Sequence, residues 1–464
     1  MTALARSLSG AGRGILLLAL LVGIAFGLLA AAAPHLALLA LAALIAVTIV
    51  ARSLLAGLAL FVVLTFPEQL PGALGVGSTL AKPLGLLLIA SWLLVIVADR
   101  DRQVPFLPRD APVVTVALVG LLVWALASAI WAENSATTIS SAARLAQLVA
   151  LVFITYSAVR RERDLLVLSV TVIIAAVITS GYALANGTLK AGRLTGGLFD
   201  PNTLAANVVV ASILVLFLFA LFRRASIRLG LAMCAVVLGA AFVQTQSRSG
   251  LIAVAIAAFV AIAVAGPIRG RVTVMVFAVT AIALSYYVVA APPQFKQRVS
   301  SIVAGGQASP LREDTWQIAL RMSRDHPVTG VGFGNFRVAE ASYFAGTLNV
   351  QGVASLRRYE LAVHNSYLEF LAELGLIGLA LFAIVIGTTI GGALAVVARD
   401  KSPHRRFWAG AMVAATAALL ASQIFISGQY SKQFWLLLGM TLAASVPTKE
   451  PARRLPRKTA PTAW

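Results

Sequence analysis

Apolar stretches of roughly 15–22 residues recur from residue 14 to residue 446, separated by short basic or Gly/Pro-rich breaks. Hydrophobic residues make up 60% of the chain and charged residues only 12%, whereas a soluble domain of this length needs far more charged surface. Helices satisfy their own backbone hydrogen bonds inside a bilayer, and the alternation typical of an outer-membrane barrel does not occur in these stretches. The sequence therefore predicts an all-α, polytopic bundle of transmembrane helices.

We expect fourteen spans, with twelve as the alternative because several stretches are short. The candidate spans are 14–33, 36–51, 54–66, 80–98, 112–131, 145–159, 165–183, 204–222, 229–246, 250–266, 272–291, 366–389, 407–427 and 433–446. The first span also resembles a signal peptide, since Arg6 and Arg13 precede its apolar run. A signal peptide is therefore the alternative interpretation of that span.

The basic residues predict the orientation of the bundle. If the N-terminus is cytoplasmic, 23 of the 37 lysines and arginines fall in cytoplasmic breaks or in the C-terminal tail. Of the other 14, eight lie in the long loop 292–365, which is exempt from the positive-inside rule because of its length. We therefore expect both termini inside the cell and the long loop outside.

The breaks divide the chain into three parts. We expect N-terminal transmembrane helices over 1–189, a core over 190–446 that includes the loop 292–365, and a disordered basic tail over 447–464. A net charge of +20 would suggest nucleic acid as the partner of a soluble protein. Here the basic residues lie at helix ends, so the lipid bilayer is the expected partner and nucleic acid is not.

A polar stretch on the predicted outer side, "GRLTGGLFDPNTLAAN", spans residues 192–207. Its glycines permit turns, and Asp200 or Asn202 can cap the following helix. A well-built turn between helices is one interpretation of this stretch. Arg193 is the residue that a mere turn does not require.

A second stretch, "VQTQSRSGLIAV", interrupts two apolar helices at residues 243–254 and places Arg248 at their outer end. An arginine that snorkels to the membrane surface is one interpretation. A cation held at membrane level among hydroxyls and amides indicates a functional site, and we favour that interpretation.

The long loop contains an amphipathic helix. "SPLREDTWQIALRMSRDHPVTGVGFGNF", residues 309–336, has a helix start signal, apolar residues at helical spacing and an end near residue 326. Arg312, Arg321 and Arg324 give this helix a cationic side. The Gly-rich "GVGFGNF" has no preceding strand, so we expect a tight turn towards the bundle rather than a nucleotide site.

The next membrane helix has a polar beginning, "HNSYLEFLAELGLIG". Helical spacing puts Asn365, Glu369 and Glu373 on one stripe, with His364 and Tyr367 on a neighbouring one. A lone histidine at a helix start is usually a cap or an interfacial residue. Two glutamates this far inside a membrane helix cost free energy unless they are paired or hydrated, so we interpret them as partners for the arginines.

We expect no metal and no cofactor. The four histidines, His35, His326, His364 and His404, are scattered, and no spacing of Asp, Glu and His residues indicates a metal site. No Gly-x-Ser-x-Gly elbow or other nucleophile motif occurs. The single cysteine, Cys234, falls in an apolar stretch and is interpreted as a small buried hydrophobe.

Arginines and one histidine at the outer side fit one chemistry. Guanidinium groups bind phosphate oxygens bidentately, and histidine exchanges protons near neutral pH. A lipid-diphosphate-linked sugar has its diphosphate at membrane level and its apolar tail in lipid. The arginines would stabilise the departing diphosphate, while His364 would act as base or orienting group for the acceptor hydroxyl.

Four elements occur in the order "GRLTGGLFDPNTLAAN", "QSRSG", "LREDTWQIAL…HPVTGVGFGNF" and "HNSYLEFLAELGLIG". Together they resemble the O-antigen ligase/polymerase superfamily of bacterial membrane glycosyltransferases. The resemblance covers roughly residues 190–440, and the N-terminal helices match only in general hydropathy.

The resemblance implies an enzyme at the outer leaflet of the bacterial cytoplasmic (inner) membrane. It would transfer a glycan, with inversion, from an undecaprenyl-diphosphate-linked donor to a glycan or lipid acceptor, without metal or cofactor. The family's site arginines and histidine match Arg248, Arg312 and His364 here, and Arg193 matches less closely.

Four further residues are candidates for substrate binding from their positions in these motifs: Asn202, Arg321, Tyr367 and Glu369. Glu369 is not carried over from the family, because its inclusion rests on helix spacing alone.

Ligase and polymerase remain alternatives. A ligase moves a finished glycan to a foreign acceptor, a polymerase moves a growing chain to another lipid-linked repeat, and the motifs slightly favour the ligase.

The competing class is a secondary transporter or lipid-linked-sugar flippase, which would place polar residues near the bilayer midplane. Apart from Glu373, few such residues occur, and the ionisable groups cluster at the outer rim.

Overall fold

The computed structural model describes residues 33–65, 76–99, 101, 103–187, 189–190, 192–195, 200–291, 293–303, 310–343 and 362–446. Within these ranges the structure is helical apart from a two-stranded hairpin and the connecting turns. Eight of the described helices are long and apolar enough to cross a membrane, and three shorter apolar helices accompany them. The predicted all-α, polytopic fold is confirmed.

The elements follow one another along the chain with short connections. The first group is α1 (Pro34–Arg52), α2 (Leu54–Thr65), α3 (Val76–Ala98), α4 (Leu107–Asp110), α5 (Pro112–Ala127), α6 (Ser135–Ala158) and α7 (Glu162–Asn186). A hairpin of β1 (Leu189–Lys190) and β2 (Arg193–Leu194) precedes α8 (Pro201–Leu221), α9 (Ala225–Thr245), α10 (Arg248–Val264) and α11 (Arg269–Val289). The loop contains α12 (Pro293–Val303), α13 (Pro310–Asp325) and α14 (Phe336–Ala339), and the chain continues with α15 (Ser366–Arg399), α16 (Pro403–Gln423) and α17 (Lys432–Ser445).

Every predicted span after the first coincides with one of these helices. The first span, 14–33, and the tail, 447–464, lie outside the described residues. Two helices are longer than the apolar pattern indicates. α6 begins at Ser135, because the side chain of Asn134 accepts a hydrogen bond from the Thr137 amide and caps the helix, and α15 continues to Arg399.

Small residues allow the central helices to pack closely. α10 carries Ala253, Ala257 and Ala261 at every fourth position, all fully buried, and it packs along the alanine-rich α16. At the other end of this contact Gly410 lies so close to the Val264 carbonyl that a Cβ would clash with it. Close backbone approach through small residues is how helices associate where no water drives their packing.

The outer helices of the bundle remain exposed. In α8, 72% of the most apolar window is buried inside the protein, against 11% for α9 and 6% for the segment that includes α11. α8 therefore lies in the centre of the bundle. α9 and α11 offer apolar faces to the lipid, as a membrane helix at the periphery must.

Segments that the charge pattern assigns to one side of the membrane contact one another. On the predicted outer side, the Asn335 side chain donates to Thr138 Oγ1 at 2.7 Å, and the His364 amide donates to Ser427 Oγ at 3.0 Å. On the predicted inner side, Arg271 donates to the Ala220 carbonyl at 3.1 Å. Loops that the pattern of basic residues assigns to the same side thus lie at the same end of the bundle. Which end faces the cytoplasm stays a prediction.

α15 is broken at Gly375, which has φ 65° and ψ −164°. The segment 327–332 fills the break. Its Val331 and Gly332 amides donate to the Ala372 and Glu373 carbonyls at 3.0 and 2.9 Å, and the Leu376 amide donates to the Pro327 carbonyl at 2.8 Å. We call these contacts the insertion of segment 327–332. It satisfies backbone groups that a kinked helix would otherwise leave unpaired at membrane depth.

Replacement of Gly375 by alanine is expected to destabilise the protein. A Cβ there would overlap the Val328 carbonyl, and its positive φ is unfavourable for L residues. Strain and overpacking together amount to roughly 2–4 kcal/mol. The apparent unfolding temperature in detergent measures this, with Gly387→Ala as the matched control because a Cβ at position 387 of the same helix meets nothing within 4 Å. Equal unfolding temperatures for the two variants would contradict the role of the kink.

Candidate functional site at the outer helix ends

Four helices begin at the same place at the predicted outer end of the bundle. Asp200 caps α8, Arg248 is the first residue of α10, Arg312 lies in the first turn of α13, and His364 directly precedes the cap of α15. We call this group the Asp200 centre; its members are Arg193, Asp200, Asn202, Arg248, Arg312 and His364. Helix N-termini carry partial positive charge, so their convergence favours an anion.

The Asp200 carboxylate is the meeting point of the centre. Its Oδ2 lies 3.9 Å from the Arg312 guanidinium and 3.9 Å from His364 Nδ1. The Asn202 side-chain amide donates to both carboxylate oxygens, at 3.0 and 2.8 Å. One carboxylate thereby links residues from α8, α13 and the start of α15. From the sequence, Asp200 was expected only to cap a helix.

Asn202 is buried and fully engaged in hydrogen bonds. Its Oδ1 accepts from Arg193 Nη2 at 3.0 Å and from Ser247 Oγ at 2.7 Å. Arg193 also donates through Nε to the Thr245 carbonyl at 2.9 Å, at the end of α9. Asn202 therefore connects the hairpin, α8 and the α9–α10 turn, and it holds the arginine of the hairpin against the centre.

Positive charge exceeds negative charge among the named members of the centre. The named members include three guanidinium groups, those of Arg193, Arg248 and Arg312, and one carboxylate, that of Asp200. Burial lowers the pKa of Arg312, Asp200 opposes that change and Arg248 adds to it, but an arginine stays protonated at any working pH. Two like charges near one another are stabilised by an anionic ligand. A ligand with two negative charges would balance the centre.

His364 has an unusual backbone conformation, with φ 53° in the left-handed region. Its amide donates to Ser427 Oγ, and the next residue but one, Ser366, donates through its amide to the Ile426 carbonyl at 3.1 Å. The Ser366 hydroxyl also donates to Gln423 Oε1 at 2.6 Å. A left-handed non-glycine residue costs about 1–3 kcal/mol and persists where the surroundings fix it. Here the α16–α17 turn fixes the histidine next to Asp200.

The structure brings together five of the predicted site residues: Arg193, Asn202, Arg248, Arg312 and His364. Their proposed roles in catalysis and substrate binding remain predictions.

The other three predicted site residues lie elsewhere. Arg321 lines a cavity on another flank of α13. The hydroxyl of Tyr367 donates to the Leu420 carbonyl at 2.8 Å, and its ring packs against Phe382. Glu369 lies beside Ser427 and Gln429, and its Oε2 atom is buried without a hydrogen-bond partner among the described residues.

The two glutamates of α15 lie among neutral polar groups. Glu373 is 2% exposed and accepts a hydrogen bond from the Phe336 amide at 3.2 Å, while its own carbonyl accepts from Gly332. Glu369 lies next to residues of the α16–α17 turn, and the cation that interacts with both carboxylates is Arg337. Arg337 was not among the arginines that the sequence analysis paired with them. Their contacts join the α15 start to the loop rather than to the Asp200 centre.

Comparison with known proteins identifies one domain. Residues 237–383 match the family model described as O-antigen ligase. The matched segment contains Arg248, Arg312 and His364. No curated protein matches the chain.

The match supports an enzyme of O-antigen ligation or polymerisation, consistent with the predicted superfamily. Together with the eight candidate spans it indicates a multi-pass bacterial membrane protein.

The substitution Asn202→Leu tests the network at the centre. It removes acceptors for Arg193 and Ser247 and the donors to Asp200 while keeping the side-chain size, so it leaves several buried polar groups unpaired at about 1–3 kcal/mol each. We expect a lower apparent unfolding temperature. Asn207→Leu is the control, since Asn207 lies on the same helix beside Val172 and Leu436. A smaller effect at position 202 than at position 207 would contradict the network.

Proposed function

We propose, from the O-antigen ligase domain at residues 237–383, that this protein transfers a glycan from an undecaprenyl-diphosphate-linked donor to an acceptor hydroxyl. The reaction takes place on the extracytoplasmic side of the bacterial cytoplasmic membrane, with both termini in the cytoplasm. The observation that carries the proposal is the Asp200 centre, where arginines and a histidine meet at four helix starts.

The cationic residues bind the diphosphate of the donor. The excess of positive charge, together with the helix N-termini, complements a group with two negative charges. The centre lies at the end of the bundle, where the charged head group of a lipid sits while its polyprenyl chain stays among apolar side chains. Fixed cations aimed at the leaving group stabilise charge as it develops there.

His364 receives the proton of the acceptor hydroxyl. The Nδ1 atom lies on the Asp200 side, at 3.9 Å, which directs Nε2 towards the acceptor as the base. The hydroxyl oxygen forms a bond to the anomeric carbon, and the bond from that carbon to the phosphate oxygen breaks. The diphosphate leaves with the electron pair, and attack from the opposite face inverts the anomeric centre.

The reaction needs no metal ion in this proposal, because arginines supply the positive charge. Within the described part of the chain, no three His, Cys, Asp or Glu side chains are grouped as metal ligands. Transfer that continues undiminished in EDTA supports this element of the proposal. Strict dependence on an added divalent ion would contradict it.

Reconstitution distinguishes the candidate functions. The purified protein in liposomes receives a lipid-diphosphate-linked glycan and candidate acceptors, and the products are sized. One-step addition to a foreign acceptor identifies a ligase, which the motifs favour. A ladder of repeats identifies a polymerase. Movement of the donor across the bilayer without bond formation identifies a transporter and overturns the proposal.

Replacement of His364 by alanine is expected to lower the transfer rate by roughly 10²–10⁴-fold, because general base catalysis is lost. Initial rates of glycan transfer in the reconstituted system measure this. His404→Ala is the matched control, since His404 is exposed at the opposite end of the bundle. Normal transfer by the His364 variant would exclude the base.

Replacement of Asp200 by asparagine is expected to lower kcat at least about tenfold, the effect of roughly 1.4 kcal/mol. Asparagine can still cap α8, so folding is preserved. A carboxylate beside the imidazole favours its protonated form, so its removal shifts the acid limb of the pH–rate profile to lower pH.

The control for this variant is Asp101→Asn, an exposed carboxylate between α3 and α4. A lower kcat with an unshifted pH profile in the Asp200 variant would mean that Asp200 acts only in structure, and the assignment of the base partner would fail.

A further inference from the structure

A cavity lies on the flank of α13 that carries Arg321. Its volume is about 950 Å³, and it is open to the outer side of the protein. The last turns of α13 form one wall, Trp131 and Glu133 form another, and the short helix Glu340–Tyr343 closes the third. None of the members of the Asp200 centre lines it.

α13 separates the cavity from the Asp200 centre. Arg312 faces the centre and Arg321 faces the cavity, and Arg321 follows Arg312 by nine positions along the helix. Nine residues correspond to about 14 Å along a helix and about half a turn around it. Ile318 and Met322, both fully buried, fix the intervening face of α13 against the bundle. The cavity is therefore a distinct site on the same helix.

The floor of the cavity is rigid. Gly330 and Val331 belong to the insertion of segment 327–332, whose amides are bonded to α15. Gly330 has φ 67°, and a Cβ there would overlap the backbone of Glu373. The Trp131 wall is fixed as well, because Trp131 packs against Trp124 at 5.3 Å and Trp124 donates to the Leu374 carbonyl at 2.9 Å. A preformed site loses little entropy on binding.

The walls offer donors, acceptors and aromatic rings together. Arg321 and Arg324 are donors, Glu133 and Asp325 are acceptors, and Tyr343 is hydrogen-bonded to Asp325. Mixed charge does not suit a purely anionic or cationic ligand. Hydroxyl groups both donate and accept hydrogen bonds, so they match such a surface. The rings of Trp131 and Tyr343 offer flat apolar area, and the volume lies within the roughly 300–1,000 Å³ of ligand pockets.

We propose that this cavity binds sugar residues of the substrate glycan that lie away from the bond being formed. The inference rests on the proposed function and assigns a second contact to the same substrate. The glycan is that of the lipid-linked donor or that of the acceptor, since both present the same hydroxyl chemistry. Binding here adds affinity for a long glycan without any role in the chemical step.

Binding of a free oligosaccharide tests the cavity apart from transfer. The probe is the oligosaccharide released by mild acid from the lipid-linked glycans of the producing cells, titrated into the full-length protein in nanodiscs and followed by saturation-transfer NMR. Arg324→Ala is expected to raise the Kd at least about fivefold, because a charged donor is lost. Ser342→Trp, at the exposed rim, is expected to obstruct the mouth of the cavity and weaken binding.

Two controls isolate the cavity. Arg223→Ala makes the same charge change at an exposed site at the opposite end of α8, and it is expected to keep the wild-type Kd. Arg248→Ala, in the Asp200 centre, is expected to lose transfer and still bind the oligosaccharide. The apparent unfolding temperature of each variant is compared with that of the wild type, so that a misfolded variant is recognised. If one of the two cavity variants is misfolded, the Kd of the other one tests the inference.

Kinetics assign the source of the glycan. Arg324→Ala is expected to raise the KM of one substrate, donor or acceptor, while kcat changes much less, and that substrate contributes the bound sugars. A wild-type protein that transfers glycan but does not bind the oligosaccharide would overturn the inference. So would wild-type Kd values in both cavity variants. Binding without transfer would overturn the proposed function and leave the cavity standing.

Discussion

The backbone hydrogen bonds between segment 327–332 and the broken helix α15 hold the outer half of the molecule together. The segment follows α13, which carries Arg312, and α15 begins beside His364. The helix that carries Arg312 and the helix that begins beside His364 are therefore connected through one set of backbone contacts. Breaking these bonds would leave the amides and carbonyls of two packed segments without partners, which is costly. The distance between the arginine and the histidine is fixed as a consequence.

The same contacts explain the buried carboxyl group of Glu373. Its Oε1 accepts from the Phe336 amide, directly after the inserted segment, and its carbonyl accepts from Gly332. Glu373 was the one ionisable residue deep enough to suggest a transport path. Its partners are backbone amides of the loop. Glu373 therefore joins the loop to α15. The glutamate therefore gives a transporter no support, whereas the ionisable groups of the Asp200 centre lie at the helix ends.

The sequence predicted the helices well, because long apolar runs leave few alternatives in a bilayer. Basic residues at their ends predicted which segments share a side, and the contacts of Asn335 with Thr138 and of His364 with Ser427 agree with it. The motifs also predicted five residues that the structure brings together. The break at Gly375 could not be predicted, because glycine in a membrane helix more often serves close helix contact. Only the approach of the Val328 carbonyl distinguishes the two roles.

Asp200 was missed for a related reason. A carboxylate before Pro201 is a good helix cap, and it does cap α8 through the Asn202 amide. Its second role depends on Arg312 and His364, which are more than a hundred residues away in sequence. A possible signal was the charge balance of the motif, since an arginine-rich anion site has little use for a carboxylate unless that group orients a neighbour. Tyr367 and Glu369 were placed near His364 by helical spacing, and their role in substrate binding stays a prediction. The Tyr367 hydroxyl donates to the Leu420 carbonyl of α16, and Glu369 lies beside the α16–α17 turn.

The position of the Asp200 centre also limits the energetic cost of its charges. Arginines buried at the bilayer midplane would cost several kcal/mol each, whereas those at helix ends keep part of their hydration. Four helix starts contribute fixed dipoles there. The α16–α17 turn holds His364 in the left-handed backbone conformation, which is unfavourable for a residue other than glycine. In the proposed reaction, a site prepared in this way would not have to reorganise when charge moves to the leaving diphosphate. The strain at His364 and the inserted segment at Gly375 thus have one common effect, which is to keep the charged groups in place before the substrate arrives.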